Sequence, residues 1–77
     1  DVVATDDDGK NIIFGECKFW KNPVGINILN ALEKKAALVD WNRTGRKEWY
    51  VLFSISGFTD ELKQLVDKRK NLLLIEG

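Results

Sequence analysis

Apolar and polar positions alternate along the chain in blocks that predict four strands and two helices. Blocks rich in β-branched, aromatic or leucine side chains predict strands at residues 2–4, 11–20, 48–54 and 72–75. Between them, apolar residues at helical spacing follow two N-cap signatures, Asn22-Pro23 and Thr59. The first helix is expected to end between Asp40 and Asn42. The predicted order is strand, strand, helix, strand, helix, strand.

This order favours an α/β fold in one domain that spans residues 1–77. The last three strands are joined through helices, which favours parallel crossover connections. Near-continuous apolar runs are typical of strands that are buried on both faces. We therefore expect a mixed sheet that is flanked by helices on both faces.

The first two strands are joined by an acidic run that ends in Asp8-Gly9, a strong hairpin signal. We predict a two-residue type I′ turn there, in which the numbers of opposed residues add up to 17. Asp1 then faces Glu16 directly, and Lys18 points to the same face two residues later. A four-residue loop would make the two carboxylates diagonal neighbours, whereas a three-residue loop or a bulge would break the alignment.

The composition restricts the chemistry that the chain can perform. It has no His, one Cys, and 12 acidic against 12 basic residues. The commonest general base and metal ligand is therefore missing, and an internal disulfide or a multi-cysteine zinc site is excluded. Two opposed carboxylates are stabilised by a cation, and Mg²⁺ suits one or two carboxylates with a substrate phosphate. A carboxylate–lysine metal site that hydrolyses phosphodiesters matches this inventory.

Asp1, followed after fourteen intervening residues by Glu16-Cys17-Lys18, resembles the D…(D/E)-x-K core of the PD-(D/E)XK nuclease superfamily. The wider sequence includes Asp-Val-Val-Ala, Phe-Gly-Glu-Cys-Lys-Phe-Trp and Tyr-Val-Leu-Phe-Ser-Ile-Ser-Gly-Phe-Thr. Together these segments resemble the nuclease-like C-terminal domain of archaeal-type ATPases, which also occur in bacteria. The resemblance covers nearly the whole chain.

The resemblance implies a restriction-endonuclease-like fold of order β-β-α-β-α-β, with an upstream helix and strand that this chain lacks. It implies Mg²⁺ or Mn²⁺ held by Asp1, Glu16 and the backbone carbonyl of Cys17. Lys18 would be the catalytic base or an electrostatic partner. Related nucleases often place a Lys or Gln on the first helix beside the site, and Lys35 borders the apolar stripe of that helix here. The implied substrate is DNA, and the implied partner is a fused or associated ATPase domain.

Less specific interpretations of these residues remain open. Asp1, Glu16 and Lys18 also fit a solvated charge cluster at a sheet edge. Cys17 points to the opposite face and is expected to be a small buried residue, since no His is present to activate it as a nucleophile. The acidic run before Gly9 suggests a calcium loop but lacks the EF-hand pattern, so we interpret it as a turn.

Aromatic and basic residues near the predicted site are candidate nucleic-acid contacts. Trp20 has the strand parity of Lys18 and is the best of the three tryptophans for lining a substrate groove. On the first helix, Lys34 points more toward the polar side than Lys35 and is the weaker site candidate. Basic residues beside loops either contact phosphates or are simply solvated; these are Lys21, Arg43, Arg46 and Lys47.

The alternative function is a non-catalytic module of an ATPase that serves oligomerisation, including homodimer formation, or regulation. The zero net charge favours this alternative and argues against a long nucleic-acid footprint. No apolar run approaches the ~20 residues of a membrane span. The unpaired Cys favours a reducing, cytoplasmic setting. Because the chain does not begin with Met, we expect it to be part of a longer protein.

Overall fold

A computed structural model describes residues 2–77 as one mixed four-stranded sheet with two helices. The elements are β1 (Val2–Thr5), β2 (Asn11–Lys18), α1 (Ile26–Ala36), β3 (Lys47–Ser54), α2 (Asp60–Val66) and β4 (Leu72–Glu76). The strand order is β1-β2-β3-β4; β1 is antiparallel to β2, and the last three strands are parallel. The predicted α/β class and element order are confirmed. Neither described helix is long and apolar enough to cross a membrane.

The β1–β2 hairpin has the predicted register but not the predicted turn. Val2 pairs with Gly15, so the numbers of opposed residues add up to 17. The prediction of a type I′ turn is wrong, because that turn needs a positive φ at both central residues and Asp8 lacks it. Gly9, with a φ of 71°, is the residue of this loop that adopts the left-handed conformation.

Asp6 closes the loop with its carboxylate. This group accepts hydrogen bonds from the backbone N–H groups of Lys10 at 3.0 Å and Asn11 at 3.1 Å, and from the Asn11 side chain at 2.7 Å. The Asn11 side-chain bond, followed by the backbone bonds, lowers the pKa of Asp6. Asp1, which was predicted to face Glu16, lies outside the described residues.

Helix α1 begins later than predicted. Asn22-Pro23 does not cap it; the N-cap is Gly25, and the first helical residue is Ile26. The reason is that Val24 forms a parallel bridge with Phe58, which ties the preceding chain to the segment after β3. Residues engaged in such a bridge are extended and therefore cannot belong to the helix.

Helix α1 also ends earlier than predicted, at Ala36 rather than between Asp40 and Asn42. The buried guanidinium of Arg46, whose side chain is 4% exposed, satisfies the carbonyls at this end. It donates to the carbonyls of Ala36 at 2.9 Å, Val39 at 2.7 Å and Trp41 at 2.8 Å. These contacts replace the continuing helical hydrogen bonds that the apolar spacing had suggested.

Glu48 on β3 holds Arg46 in this position. Its carboxylate lies 2.8 Å from the guanidinium and accepts a hydrogen bond of 2.8 Å from the Tyr50 hydroxyl. The Tyr50 bond, followed by the interaction with Arg46, lowers the pKa of Glu48. Burial and the Glu48 carboxylate together raise the pKa of Tyr50. Strand β3 and the end of α1 are therefore joined by one polar network.

Both helices pack on the same face of the sheet, so the prediction of burial on both faces is wrong for residues 2–77. The core combines strand residues Ile12, Phe14, Tyr50, Leu52 and Leu72 with helix residues Ile28, Leu29, Leu32, Ala36 and Leu62. The spatial order of the strands follows their order in the chain. Parallel crossovers in one sheet share the same handedness, and the two here, β2 to β3 and β3 to β4, run in the same direction across the sheet. Their helices therefore lie on one side of it.

The opposite face of the sheet, here called the open face, is apolar and exposed. It consists of Val2, Ile13, Cys17, Trp49, Val51, Phe53, Leu73 and Ile75. The exposed fraction reaches 58% for Val2 and 54% for Leu73. Two shallow depressions of about 340 and 310 Å³ lie among these side chains. Cys17 is exposed on this face, so the prediction that it is buried is wrong.

Candidate functional site

Three of the predicted site residues meet on the helix-covered side of β2. Glu16 lies opposite Leu52 in the sheet, and its side chain is 11% exposed. The Lys18 Nζ atom lies 3.5 Å from Glu16 Oε1, and the Lys35 Nζ atom lies 3.8 Å from the same oxygen. We call Glu16, Lys18 and Lys35 the carboxylate–lysine cluster.

Strand alternation and helix packing explain why these side chains converge. Glu16 and Lys18 are two residues apart on β2, so they point to the same face. Lys35 precedes the buried Ala36 in the last turn of α1, which packs over that face. Among the described residues, Lys35 and not Lys34 comes within ion-pair distance of Glu16, in agreement with its place beside the apolar stripe.

The electrostatics of the cluster suit an anionic ligand. A carboxylate that is almost nine-tenths buried needs a nearby cation to offset the loss of hydration, and two ammonium groups provide it. The Lys18 and Lys35 side chains keep 27% and 56% of their surface exposed. The lysine side of the cluster is therefore open to solvent, where ammonium groups can donate charge-assisted hydrogen bonds to an anion.

The predicted metal site depends on more than the cluster alone. Residues 2–77 contain no group of three or more Cys, Asp or Glu residues arranged to hold a metal ion. Glu16 is the predicted carboxylate ligand that the structure describes, whereas Asp1 lies outside the described residues. One or two carboxylates, completed by water and substrate phosphate, form an ordinary Mg²⁺ site. Glu16 therefore fits a Mg²⁺ or Mn²⁺ site that further oxygen ligands complete. The Cys17 carbonyl stays a predicted ligand of that site.

Trp20 lies directly beside the cluster. The Lys18 Nζ atom is 4.8 Å from the centre of the Trp20 ring, a cation–π distance. Strand β2 ends at Lys18, and the turn that follows is hydrogen-bonded to the residues directly after β3. There, the Ser56 hydroxyl donates to the Trp20 carbonyl, and the Ile55 N–H donates to the Lys18 carbonyl at 3.4 Å. Strand parity identified Trp20 in the sequence, whereas no motif marks Ser56.

The other candidate nucleic-acid contacts lie elsewhere or have structural roles. Arg46 is buried in the carbonyl network at the end of α1, so both predicted alternatives, a phosphate contact and simple solvation, are wrong for it. Trp41 packs against the core, and the Trp49 indole N–H donates to Asn11 at 2.9 Å beside the open face. The remaining basic candidates are exposed: Lys21, Arg43 and Lys47.

Glu16, Lys18 and Lys35 lie together in this chain, and the chain as a whole can be compared with known proteins. Comparisons with protein-family models, with characterised proteins and with solved structures find no significant match. The resemblance to nucleases that is carried by Glu16-Cys17-Lys18 and its flanking residues therefore stays a prediction.

Proposed function

We propose that this domain is a metal-dependent nuclease of the PD-(D/E)XK type with a restriction-endonuclease-like fold. The observation that carries the proposal is the carboxylate–lysine cluster. Lys18 and Lys35, from different elements, lie 3.5 and 3.8 Å from one oxygen of the nearly buried Glu16 carboxylate. Lysine ammonium groups that are held in place stabilise the charge that develops on a phosphoryl group during transfer.

The chain's own residues divide the work of phosphodiester hydrolysis as follows. Glu16, with Asp1 and the Cys17 carbonyl, would hold Mg²⁺ or Mn²⁺. When bound, the metal supplies Lewis-acid stabilisation of the phosphodiester charge and lowers the pKa of a coordinated water. The Lys18 ammonium donates hydrogen bonds to a nonbridging phosphate oxygen or orients the attacking water. Lys35, which is more exposed than Lys18, neutralises charge on the phosphate as it enters.

The substrate and the partner follow from the sequence resemblance. We propose DNA as the substrate and an ATPase domain, fused or associated, as the partner. Hydrolysis at this site requires neither a His nor a thiol nucleophile, which agrees with the composition of the chain. The direct test is cleavage of supercoiled plasmid and of circular single-stranded DNA, each with Mg²⁺ and with a chelator.

A matched pair of lysine variants separates a site role from a general charge effect. Lys35→Ala should lower the Mg²⁺-dependent cleavage rate about tenfold, because it removes one ammonium from the phosphate entrance. Lys34→Ala removes the same charge one residue away, on a side chain that is exposed, and should change the rate less than twofold. Initial rates of nicking measure both effects. Equal losses in the two variants would show that only net charge matters.

The open face favours a second candidate function, a homodimerisation module. Its charged residues, Lys47 on β3 and Lys70 beside β4, lie at its margin, so the centres of two copies can stack about a twofold axis with little like-charge repulsion. Four strands at ordinary spacing present roughly 500–600 Å² of accessible surface per copy, or about 1,000–1,200 Å² per dimer. The area per dimer lies at the lower limit for a specific interface, and the area per copy lies at the upper end of the apolar patches that monomers expose, which are often functional. A second copy of this chain is the occupant we propose.

Sedimentation equilibrium over a wide concentration range tests the dimer. Leu73→Lys places a charge in the open face, where the native side chain is 54% exposed, and should convert the dimer to a monomer. Leu38→Lys is the matched control, because Leu38 is 82% exposed and does not belong to the open face. A wild-type chain that stays monomeric at every concentration, or a Leu38→Lys variant that dissociates as fully as Leu73→Lys, rejects this candidate.

A further inference from the structure

Two adjacent aromatic residues follow the end of β2, and the second of them, Trp20, lies next to the carboxylate–lysine cluster. Phe19 is 70% exposed and Trp20 is 44% exposed. Neither belongs to the buried core or to the apolar residues packed against it. The flanking residues, Lys18 and Lys21, are both basic. The sequence thus interleaves aromatic rings with cations at one edge of the proposed nuclease site.

We propose that Trp20 is a stacking platform for an unpaired base. The substrate class of the site is then single-stranded nucleic acid, or a duplex end or junction with unpaired nucleotides. This inference rests on the proposed nuclease function, since it assigns the substrate of the same cluster.

The placement of the ring supports this assignment. One ammonium group, that of Lys18, lies 4.8 Å from the Trp20 ring centre and 3.5 Å from Glu16 Oε1. Because the ammonium covers one face of the indole, a phosphate that it holds lies directly beside the ring, and the base stacks on the other face. The hydrogen bond from the Ser56 hydroxyl to the Trp20 carbonyl ties the backbone that carries the ring to the segment after β3.

The physics of base recognition selects unpaired nucleotides. In a duplex the flat faces of the bases are covered by their neighbours, so a protein ring stacks on a base only where the strand is single or the base is extruded. Such stacking tolerates any sequence, and removing one aromatic partner lowers affinity by about tenfold or more. A chain with zero net charge lacks the extended basic surface of a duplex binder and depends more on this contact.

The other tryptophans provide the contrast. Trp41 is packed against the core, and Trp49 lies on the open face with its indole N–H bonded to Asn11. Neither is within cation–π distance of a cluster lysine among the described residues. Trp20 is therefore the tryptophan whose ring can contact a substrate at the cluster. Trp49 is also exposed, so its substitution is a suitable control.

Fluorescence anisotropy of a labelled oligothymidine, with EDTA present to prevent cleavage, tests the platform. Trp20→Leu should weaken binding about tenfold or more, whereas Trp20→Phe, which keeps an aromatic face, should stay within about threefold of wild type. Trp49→Leu should leave the affinity unchanged. A duplex of the same length should bind more weakly than the single strand. Contact with up to three lysines predicts that log K falls with log[salt] at a slope of about −2.

The outcomes separate this inference from the nuclease proposal. If Trp20→Leu binds oligothymidine as well as wild type, or if the duplex binds at least as tightly as the single strand, the platform is rejected even when DNA is cleaved. If binding depends on Trp20 but neither plasmid nor circular single-stranded DNA is cut with Mg²⁺, the platform stands and the nuclease proposal fails. Because Trp20 is exposed, circular dichroism is expected to confirm that its variants fold.

Discussion

Glu16→Gln should reduce Mg²⁺-dependent DNA cleavage by about a thousandfold or more. Glutamine preserves the size of the side chain but removes the charge that attracts a divalent cation. The Glu16 side chain is 11% exposed and lies between two lysines, so little water is available to replace the lost carboxylate. Single-turnover cleavage at several Mg²⁺ concentrations measures the loss and shows whether excess metal restores any activity. Wild-type activity in this variant would reject the metal site.

Two further variants assign the loss to a role. Glu33→Gln is the matched control, because Glu33 also pairs with a basic side chain, Arg69 at 3.3 Å, away from the cluster. It should cleave at the wild-type rate. Lys18→Ala should lose cleavage while retaining Mn²⁺ affinity in a calorimetric titration, since the lysine acts on phosphate or water. Loss of Mn²⁺ binding in Lys18→Ala would instead indicate that Lys18 only supports the fold of the site.

Arg46→Met should lower the free energy of unfolding by about 3 kcal/mol or more. Methionine preserves much of the apolar stem that packs near the Phe14 ring, which lies 5.7 Å from the guanidinium carbon. It removes the Glu48 ion pair and the side-chain donor to three part-buried carbonyls, of which the Ala36 carbonyl keeps the Val39 N–H as a donor. A loss of this size is a large fraction of the stability of a small domain, typically about 5–15 kcal/mol. Urea denaturation followed by circular dichroism measures the change.

Arg43 supplies the control for this prediction. Arg43 is exposed and donates one hydrogen bond of 3.1 Å to the Ala37 carbonyl near the same helix end. Arg43→Met should change the stability by no more than about 0.5 kcal/mol. Arg46→Lys should fall between the two, because an ammonium keeps the charge but cannot reach several carbonyls in fixed directions. If Arg46→Met is as stable as Arg43→Met, the carbonyl network does not hold the end of α1.

The sequence was sufficient to predict how the cluster assembles. Strand alternation places Glu16 and Lys18 on one face, and the edge of the helical stripe favours Lys35 over Lys34. In the structure, Lys18 and Lys35 lie 3.5 and 3.8 Å from Glu16. The hairpin register was also correct although the turn was not. The connection between Thr5 and Ile12 is longer than the predicted turn but is centred on the same point, so it gives the same pairing. The diagonal shift expected for a four-residue loop would need a loop with a different centre.

The coverage of the sheet could not be predicted from apolar patterning. Alternate residues of β3 are apolar on both faces, which is typical of a strand between two helix layers, yet only Tyr50, Leu52 and Ser54 are buried. Whether helices lie on one face or two depends on the spatial order of the strands, which the local sequence does not contain. The end of α1 was missed for a similar reason, because Arg46 reaches it from ten residues away.

The exposure of Cys17 gives the open face a single chemical handle. It is the one cysteine in the sequence, and it borders the depression formed with Val2, Phe53 and Ile75. A maleimide or alkylating reagent that modifies this thiol therefore samples the accessibility of the face without any substitution. A second copy or another protein that binds the open face covers this thiol. The labelling rate then falls in proportion to the fraction of time for which the face is covered. The kinetics of thiol labelling can thus be read as an occupancy of this surface, in a purified sample or in a cell extract.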